Sequence, residues 1–321
     1  MHHVLRHVVT VILLVLATAA LAQNYPNKPI RFLVPSPAGG SPDILARIVG
    51  TRLSEQLKQQ VIIDNRSGAS GVIGVEIVRN AAPDGYTLLL ATSTIFASLP
   101  ALKSKLPYDV DRDFAHLSRI AWVANVATVN AGLGVNSVAD LVKLAKDKPG
   151  QLNYGSAGNG SPAHLAGAMF NVLAGVKTTH VPYKGAAPAL SDMLGGQIQF
   201  LITSPLVAMP HGRAGRIKVL ATTGAQRDPL LPELPTMAET VPGYEIVQWW
   251  GVSVAKATPA TIVQRLHQEL MIALNTADAK ALMNKNGATP SPEQPAAFLA
   301  FMKAERARIA NVGKQAGIVL D

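Results

Sequence analysis

Apolar segments of two kinds alternate along most of this chain, and that alternation restricts the fold more than any other feature. Short apolar runs with strand character, such as residues 29–34, 61–63 and 86–91, are separated by segments whose apolar residues recur at helical spacing. Such alternation is typical of parallel βαβ units with helices on both faces of the sheet. The sequence therefore predicts an α/β protein.

The alternation of predicted strands and helices stops toward the end of the chain, where helices predominate. Further strands are predicted at residues 122–129, 152–154, 178–181, 198–202 and 217–221. Helices are predicted at residues 71–78, 137–146, 161–174, 187–194 and 206–214. After the run Trp249-Trp250-Gly251-Val252 the chain is mostly helical, with helices predicted at residues 259–274, 277–286 and 295–315.

This asymmetry predicts two αβ lobes, with the chain leaving the first lobe, building the second and returning to the first. The expected first lobe comprises residues 23–124 and, on return, the mostly helical residues 246–321, while residues 125–245 form the second lobe. A ligand in such a fold lies where the C-terminal ends of strands from both lobes face each other.

The N-terminus has the pattern of a secretory signal peptide. A short segment containing Arg6 precedes an apolar run from about residue 8 to residue 21, and Ala20-Leu21-Ala22 places small residues where a signal peptidase reads. The run is shorter than the roughly 20 residues that a membrane-spanning helix needs. We predict cleavage after Ala22 and export to the periplasm.

Composition disfavours several classes of protein. Hydrophobic residues make up 48% of the chain and charged residues 15%, which indicates a compact globular protein. There is no cysteine, so the exported fold does not depend on disulfides. Loss of residues 1–22 removes one arginine and lowers the formal charge from +9 to +8, a balance that suits an anionic ligand or membrane surface. Scattered basic residues and 5% aromatic content argue against a nucleic-acid surface.

The stretch VPSPAGGSPD, residues 34–43, joins a predicted strand to a predicted helix. Gly39 and Gly40 let a neighbour approach the backbone closely, and Ser41 is predicted as the N-cap with Pro42 at the first helical position. Free N–H groups at a helix start favour an anion. An ordinary turn of an α/β protein has the same sequence features, so this loop alone does not decide between the two.

The stretch LNYGSAGNGSPAHL, residues 152–165, repeats the design in the second lobe. Glycines expose backbone amides after the strand, and Ser161 caps the next helix, followed by Pro162; the glycines are Gly155, Gly158 and Gly160. The loop is not a phosphate-binding motif, because it fits neither G-x-x-x-x-G-K-[ST] nor G-x-G-x-x-G. It is not a G-x-S-x-G nucleophile elbow either. Two copies of one loop design predict a shared anion site between the lobes.

Two further loops offer polar groups at strand ends. Tyr183, Lys184 and Gly185 precede a helix, and Lys184 is suited either to pairing with a carboxylate or to solvent exposure. Residues 92–94 present three adjacent hydroxyls that both donate and accept hydrogen bonds.

The sequence contains few residue patterns typical of metal binding or of acid–base catalysis. The histidines outside the signal segment show neither H-x-x-x-H nor H-E-x-x-H spacing, and no carboxylate pair or nucleophile–base pair is recognisable. His164 is on a first helical turn, where it either lines the cleft or is structural. Asp43, also on a first turn, either holds a ligand ammonium group or fixes its loop. No metal site and no cofactor are predicted.

Eight segments, taken in order, resemble one known family: YPNKPIRFLVPSPAGGSPD, NRSGASGVIGVEIVRNAAPDGYTLLLAT, KLPYDVDRDFAHLSRIA, LNYGSAGNGSPAHLAG, VPYKGAAPALSDMLGGQIQF, MPHGRAGRIKVLATTG, LPELPTMAETVPGYE and WWGVSVAKATPATIV. Together they are similar to the extracytoplasmic solute receptors of the tripartite tricarboxylate transporter type, often called Bug proteins. Each motif is loose, but the order of all eight is specific, and they cover nearly the whole mature chain.

The resemblance implies a type II periplasmic-binding-protein fold, in which two αβ lobes close on a small ligand. It also implies that backbone amides and hydroxyls of the cleft loops hold a ligand carboxylate, with bridging waters. The first lobe would contribute Ala38, Gly39, Gly40, Asp43, Ser93 and Thr94. The second lobe would contribute Ser156, Gly158, Gly160, Ser161, His164, Tyr183, Lys184 and Gly185.

Two departures from the family pattern bear on the ligand. The first loop has Ala38 where Pro is common, which keeps the glycines and loosens the entry. Where the family often has Phe-Asp after the strand aligned with residues 199–201, this chain has Ile202-Thr203. Loss of that carboxylate disfavours a cationic ligand and favours a neutral or multiply carboxylated one, and Thr203 is the predicted specificity position.

The sequence therefore predicts a monomeric periplasmic receptor for a small organic acid, without a catalytic step. Membrane permease subunits are the implied partners, and an orphan receptor or a receptor that serves a sensor is the alternative. An exported hydrolase or transferase on a similar frame is the rival function, and a scaffold that binds only protein is a third.

Overall fold

A computed structural model describes residues 25–183 and 185–318. The predicted signal peptide and Lys184 lie outside the described residues. The strands are β1 (Ile30–Val34), β2 (Val61–Asn65), β3 (Thr87–Thr92), β4 (Phe114–Ala124), β5 (Val126–Asn130), β6 (Asn153–Ser156), β7 (Thr179–Pro182), β8 (Phe200–Thr203), β9 (Ile217–Thr222), β10 (Val247–Ala255) and β11 (Thr289–Pro290).

Helices cover most of the remaining chain. They are α1 (Ser41–Leu57), α2 (Val72–Arg79), α3 (Leu99–Leu102), α4 (Val110–Asp113), α5 (Val138–Asp147), α6 (Pro162–Ala174), α7 (Ala186–Leu194), α8 (Pro205–Arg213), α9 (Ala260–Asn275), α10 (Ala277–Lys285) and α11 (Pro295–Ala316), with a π-helical turn at Thr94–Ser98. Within the part of the chain that is described, no helix combines the length and apolar character needed to cross a bilayer.

The strands form two sheets. The first has the order β11-β4-β10-β3-β1-β2 and the second the order β7-β6-β8-β5-β9. In the first sheet β1 is parallel to β2 and β3, and in the second β6 is parallel to β7 and β8. Parallel strands end at the same edge of a sheet, so the loops that follow β1 and β3, and those that follow β6, β7 and β8, are neighbours.

Two segments cross between the sheets and are hydrogen-bonded to each other. Asn125 alone separates β4 from β5, and residues 223–246 lead from β9 back to β10. The Thr223 N–H donates to the Asn125 carbonyl (2.9 Å), and the Thr223 hydroxyl donates to the Ile246 carbonyl (2.6 Å). Gln248 Nε2 donates to Asn125 Oδ1 (3.3 Å). These bonds tie the two crossing segments together at the junction of the sheets.

The prediction of one continuous strand at residues 122–129 was wrong. The structure has two strands there, β4 and β5, in different sheets. The apolar pattern continues through the junction because both strands are buried, and Asn125 itself is fully buried. Sequence periodicity therefore gave no sign of the change of sheet.

One hydrophobic cluster extends from the first sheet to the second-lobe helix α6. Trp249 of β10 packs edge-to-face on Phe298 (5.4 Å) and Phe301 (5.6 Å) of α11, and the same cluster includes Phe170 of α6. Helix α11 also packs directly against α6. The returning part of the chain thus contacts the second lobe as well as the first.

Gly251 lies where β10 meets α11, and we expect Gly251→Ala to destabilise the fold. A Cβ there would lie 2.8 Å from the Ser118 carbonyl oxygen and would overlap the Phe298 ring. Overpacking of this kind costs about 1–3 kcal/mol, measurable as a lower urea midpoint. Gly195→Ala is the matched control, since a Cβ there meets only ordinary contacts of 3.6 and 3.7 Å. Equal midpoints for the two variants would contradict this packing.

Candidate functional site

The first candidate loop joins β1 to α1, and residues 37–40 are exposed at the C-terminal edge of the first sheet. Gly39 has φ +83°, a left-handed conformation that favours glycine. Its N–H donates to Asp43 Oδ2 (2.9 Å). The predicted N-cap was wrong: α1 begins at Ser41, and Gly40 holds the cap position without a side-chain bond. The Asp43 carboxylate therefore accepts a hydrogen bond from the backbone N–H of Gly39, the residue before the N-cap, and no serine hydroxyl caps the helix.

Asp43 holds the first loop in place. It is only 3% exposed and also accepts from Arg47 Nε (3.1 Å), one turn further along α1. Burial alone would raise the pKa of Asp43, but the hydrogen bonds from Arg47 and from the Gly39 amide outweigh it and lower that pKa. The side chain is therefore an ionised loop anchor, the second of the two roles considered from the sequence.

The second candidate loop joins β6 to α6 and is bonded internally. The Gly158 N–H donates to Ser156 Oγ (3.1 Å), and the Gly160 N–H donates to His164 Nδ1 (3.1 Å). Ser161 is the N-cap of α6, as predicted, and accepts from the His164 N–H (3.3 Å). The expectation that the Gly158 and Gly160 amides are free was wrong, because side chains of the same loop lie within hydrogen-bonding reach.

The two loops share one arrangement at the start of their helices. In each, the amide of the glycine before the N-cap, Gly39 or Gly160, donates to the side chain at the third helical position, Asp43 or His164. The same bond occurs at α5, from the Asn136 N–H to Asp140, so the bond alone does not define a site. The two candidate loops differ from that example in their glycines and in their position at the C-terminal ends of parallel strands.

His180 is a polar residue of this region that the sequence analysis did not select. Its Nε2 lies 2.7 Å from Ser156 Oγ, and its ring stacks on His164 with centroids 4.0 Å apart. His180 is on β7 and Ser156 on β6, so only strand pairing brings them together. No local motif signals such a contact.

The remaining predicted residues occupy the neighbouring strand ends. Ser93 follows β3 and is buried, Thr94 is half-buried, and Thr203 ends β8 with 4% exposure. Tyr183 follows β7, and its hydroxyl donates to Asp192 Oδ2 (2.7 Å), within the second lobe. Burial and the Asp192 carboxylate raise the pKa of Tyr183 to about 12. Gly185 is the N-cap of α7.

Strand register places the two groups of loops on either side of the crossing segments. Thr92, the last residue of β3, pairs with Trp250, which pairs in turn with Ala121 near the end of β4. Thr203, the last residue of β8, pairs with Val126 at the start of β5. The C-terminal ends of both parallel sets therefore reach the junction at residues 124–126, where the lobes meet.

The sequence showed no recognisable nucleophile–base pair, but folding brings one serine and one histidine together. Ser156 and His180 are within hydrogen-bonding distance, but Ser156 has no exposed surface. A serine nucleophile must reach its substrate, and this hydroxyl is also bonded to the Gly158 amide. Among the described residues, no group of three or more histidine or acidic side chains has the arrangement of a metal site.

Between pH 6.5 and pH 4 we expect His180 to make stability depend on pH. Burial and the nearby His164 lower the pKa of His180 from 6.5 to about 4. Over that interval the unfolded chain binds a proton that the folded chain does not, so the free energy of unfolding falls as pH falls. His180→Gln should remove about 2 kcal/mol of this dependence, after allowance for partial exposure of the ring.

Urea unfolding at pH 7.5 and pH 4.5 measures that difference. His116, whose pKa burial also lowers to about 4, contributes with the same sign in both proteins and cancels in the comparison. An unchanged pH dependence in His180→Gln would contradict the assigned environment of the ring.

Comparison with known proteins places the chain in a family. The model of the tripartite tricarboxylate transporter family receptor matches residues 45–318. Protein BugT of Bordetella pertussis (strain Tohama I) is 33% identical over 307 residues, which cover 95% of this chain and 94% of BugT.

Solved structures of similar proteins share the whole fold. R. palustris Rpa4515, solved with adipate, is 38% identical and superposes with a TM-score of 0.84, covering 92% of this chain and 99% of that one. MatC (Rpa3494) of Rhodopseudomonas palustris, with bound malate, is 28% identical with a TM-score of 0.79, covering 90% and 99%. The predicted two-lobe periplasmic-binding-protein fold and the family resemblance are thereby confirmed. The chain belongs to the tripartite tricarboxylate transporter receptor family and is a solute-binding receptor.

Proposed function

We propose that this receptor binds a small carboxylate between its two lobes and carries out no chemical step on it. The observation that carries the proposal is the pair of glycine-containing loops, each running into a helix start, at the C-terminal strand ends of the two sheets. Backbone N–H groups at a helix start favour an anion through both hydrogen bonding and the helix dipole. One carboxylate between two such loops would engage both lobes.

The proposed site comprises the residues selected from the sequence. Ala38, Gly39 and Gly40 give backbone access in the first lobe, with Asp43 as the anchor and Ser93 and Thr94 beside them. Ser156, Gly158, Gly160, Ser161 and His164 form the corresponding loop of the second lobe, and Tyr183 and Gly185 belong to the loop after β7. Lys184 is included in the proposed site from its place in the sequence. Thr203 is the proposed specificity position.

Dicarboxylates are the first ligands to test. Rpa4515 was solved with adipate and MatC with malate, and both molecules carry two carboxylates. Thr203 places a neutral hydroxyl where the family often has an acid, which removes repulsion of a second ligand carboxylate. The positive net charge of the chain also favours the approach of a dicarboxylate, through long-range electrostatic attraction.

Lobe closure is the proposed mechanism. A ligand that contacts both loops interacts more strongly with a closed form than with an open one, and this difference in affinity shifts the population toward closure. We propose that the boundaries between the two moving lobes lie between residues 124 and 125 and between residues 245 and 246. Rotation would then occur at Asn125 and at the second crossing segment.

We further propose that the protein is exported, cleaved after Ala22, and monomeric in the periplasm. The closed receptor would present its lobes to membrane permease subunits of the tripartite type, as the family name implies. Service to a sensor, or a role without a cognate permease, is the alternative.

An exported hydrolase or transferase remains the second candidate function because Ser156 and His180 are hydrogen-bonded. It requires that Ser156 become accessible to substrate. In that case replacement of Ser156, Ser161 or His164 would abolish turnover while ligand binding persisted.

A thermal-shift screen of the purified protein tests the proposal. The probes are adipate, malate, citrate, acetate, benzoate and neutral amino acids, each incubated for hours and then assayed for consumption. A ligand that binds only the folded state raises the melting temperature. A shift with one class of carboxylate and no consumption supports the receptor, consumption of a hit supports the enzyme, and the absence of any shift contradicts carboxylate binding within this set.

A further inference from the structure

Four side-chain rings form a column in the second lobe. Phe200, Tyr154, His180 and His164 follow one another with centroid separations of 5.4, 5.0 and 4.0 Å and interplanar angles of 29, 32 and 21°. Phe200 and Tyr154 are core residues, whereas the two imidazoles contact the loop between β6 and α6. The column thus connects the rigid core of the lobe to that loop.

Hydrogen-bond partners assign a proton position to each of the two imidazoles. His164 Nδ1 accepts the Gly160 N–H, so neutral His164 carries its proton on Nε2. Ser156 Oγ donates to the Gly158 carbonyl (3.0 Å) and accepts from the Gly158 N–H (3.1 Å). With the hydroxyl proton of Ser156 on the Gly158 carbonyl, we assign His180 Nε2 as the donor to Oγ across 2.7 Å.

The surroundings keep both imidazoles neutral. A cavity of about 620 Å³ beside them is lined by aliphatic side chains and by uncharged polar groups, including Asn171 of α6, Thr178 just before β7 and Gln315 near the end of α11. From β6 they face Tyr154, whose pKa is raised by burial so that the phenol stays protonated. No carboxylate is among the described residues that line this cavity, and a charge on one ring would oppose a charge on the other.

We propose that His180 is a positioning residue of the ligand-binding loop. Its Nε2–H holds Ser156 Oγ, which in turn fixes both the N–H and the carbonyl of Gly158, while His164 beside it fixes Gly160. The orientation of the peptide groups from Ser156 to Gly160 toward the cleft therefore depends on a residue that does not itself belong to the loop. This inference rests on the proposed carboxylate site and adds a residue that determines its geometry.

Two substitutions separate the hydrogen bond from the ring. His180→Phe keeps a ring in the column and removes the donor, whereas His180→Gln removes the ring and keeps a donor. We expect His180→Phe to weaken the affinity for the carboxylate identified in the screen by about tenfold or more, and His180→Gln to restore part of that loss. His267→Gln is the matched control, because His267 lies on α9 and is bonded to Leu117 and Gln294, which belong to the first sheet and to the residue before α11.

A double-mutant cycle distinguishes positioning through Ser156 from general destabilisation. If His180 acts through Ser156, adding His180→Phe to Ser156→Ala costs little further affinity, because the shared interaction is already lost. If calorimetric titrations at pH 7.5 show that the two substitutions lower the ligand affinity additively, the proposed action of His180 through Ser156 is wrong.

Amide NMR of the ligand-free protein tests the inference independently of any ligand. We expect the Gly158 resonance to move in His180→Phe and to stay in place in His267→Gln. An unmoved Gly158 resonance would overturn the positioning role even if the wild-type protein binds carboxylates. A moved resonance in a protein that binds no carboxylate would support the loop geometry and reject the proposed function.

Discussion

Gly40→Val should abolish most carboxylate binding while leaving the fold intact. Gly40 has φ −83° and ψ 170°, an extended conformation that valine readily adopts, and the nearest atom to an added Cβ is Pro42 Cδ at 3.6 Å. The new side chain would fill the space from which a ligand approaches the start of α1. Loss of the proposed hydrogen bonds between a ligand carboxylate and backbone amides at the start of α1 corresponds to about 100-fold weaker affinity.

Calorimetric titration with the carboxylate found in the screen measures this loss, and thermal unfolding checks the fold. Gly195→Val is the matched control, because Gly195 is exposed at the end of α7, also has negative φ, and has similar open contacts. Unchanged affinity in Gly40→Val, with a normal melting temperature, would remove the first loop from the binding site.

Asp43→Ala should weaken carboxylate binding about 30-fold, although the lost side chain carries the same charge as the ligand. The carboxylate holds the Gly39 amide and thereby the direction of the whole loop. Without it, the loop gains conformations that do not present the amides at the start of α1, and the binding-competent fraction falls. Simple electrostatics predicts the opposite result, tighter binding after removal of a negative charge.

Asp140→Ala provides the control for this second prediction. It removes the same kind of bond, from the Asn136 N–H to Asp140 Oδ2 (3.0 Å), at the start of α5. That helix follows the end of β5, which runs antiparallel to β8, so it lies at the edge of the second sheet away from the proposed cleft. Tighter binding in Asp43→Ala, or an equal loss in both variants, would contradict the role of Asp43 as loop anchor.

The two-lobe fold was predictable because its evidence is local. Helices such as α1 and α6 carry their own periodicity, and the loops before them carry their own glycines. The order of the eight family-like segments predicted the family and, through it, the type of two-lobe fold. By contrast, the change of sheet at Asn125 could not be predicted, because two buried strands on either side of a single residue appear as one apolar run.

The candidate loops were located correctly at strand ends, but their internal bonding was not foreseen. The sequence placed Ser156, Gly160 and His164 in one loop and the first turn of the helix that follows it. Their hydrogen bonds depend on side-chain directions in the folded loop. His180 was missed because its partner Ser156 is 24 residues away and reaches it only through the pairing of β6 with β7. Contacts made across strands in this way leave no periodic trace in the sequence.

Closure of the lobes on a carboxylate is the central claim, and small-angle X-ray scattering tests it most directly. The radius of gyration of the purified protein would be measured without ligand, with a saturating concentration of the carboxylate that gave the largest thermal shift, and with an amino acid that gave none. We predict a smaller radius of gyration with the carboxylate alone. Identical scattering in all three samples, at ligand concentrations that calorimetry shows to be saturating, would contradict binding by lobe closure.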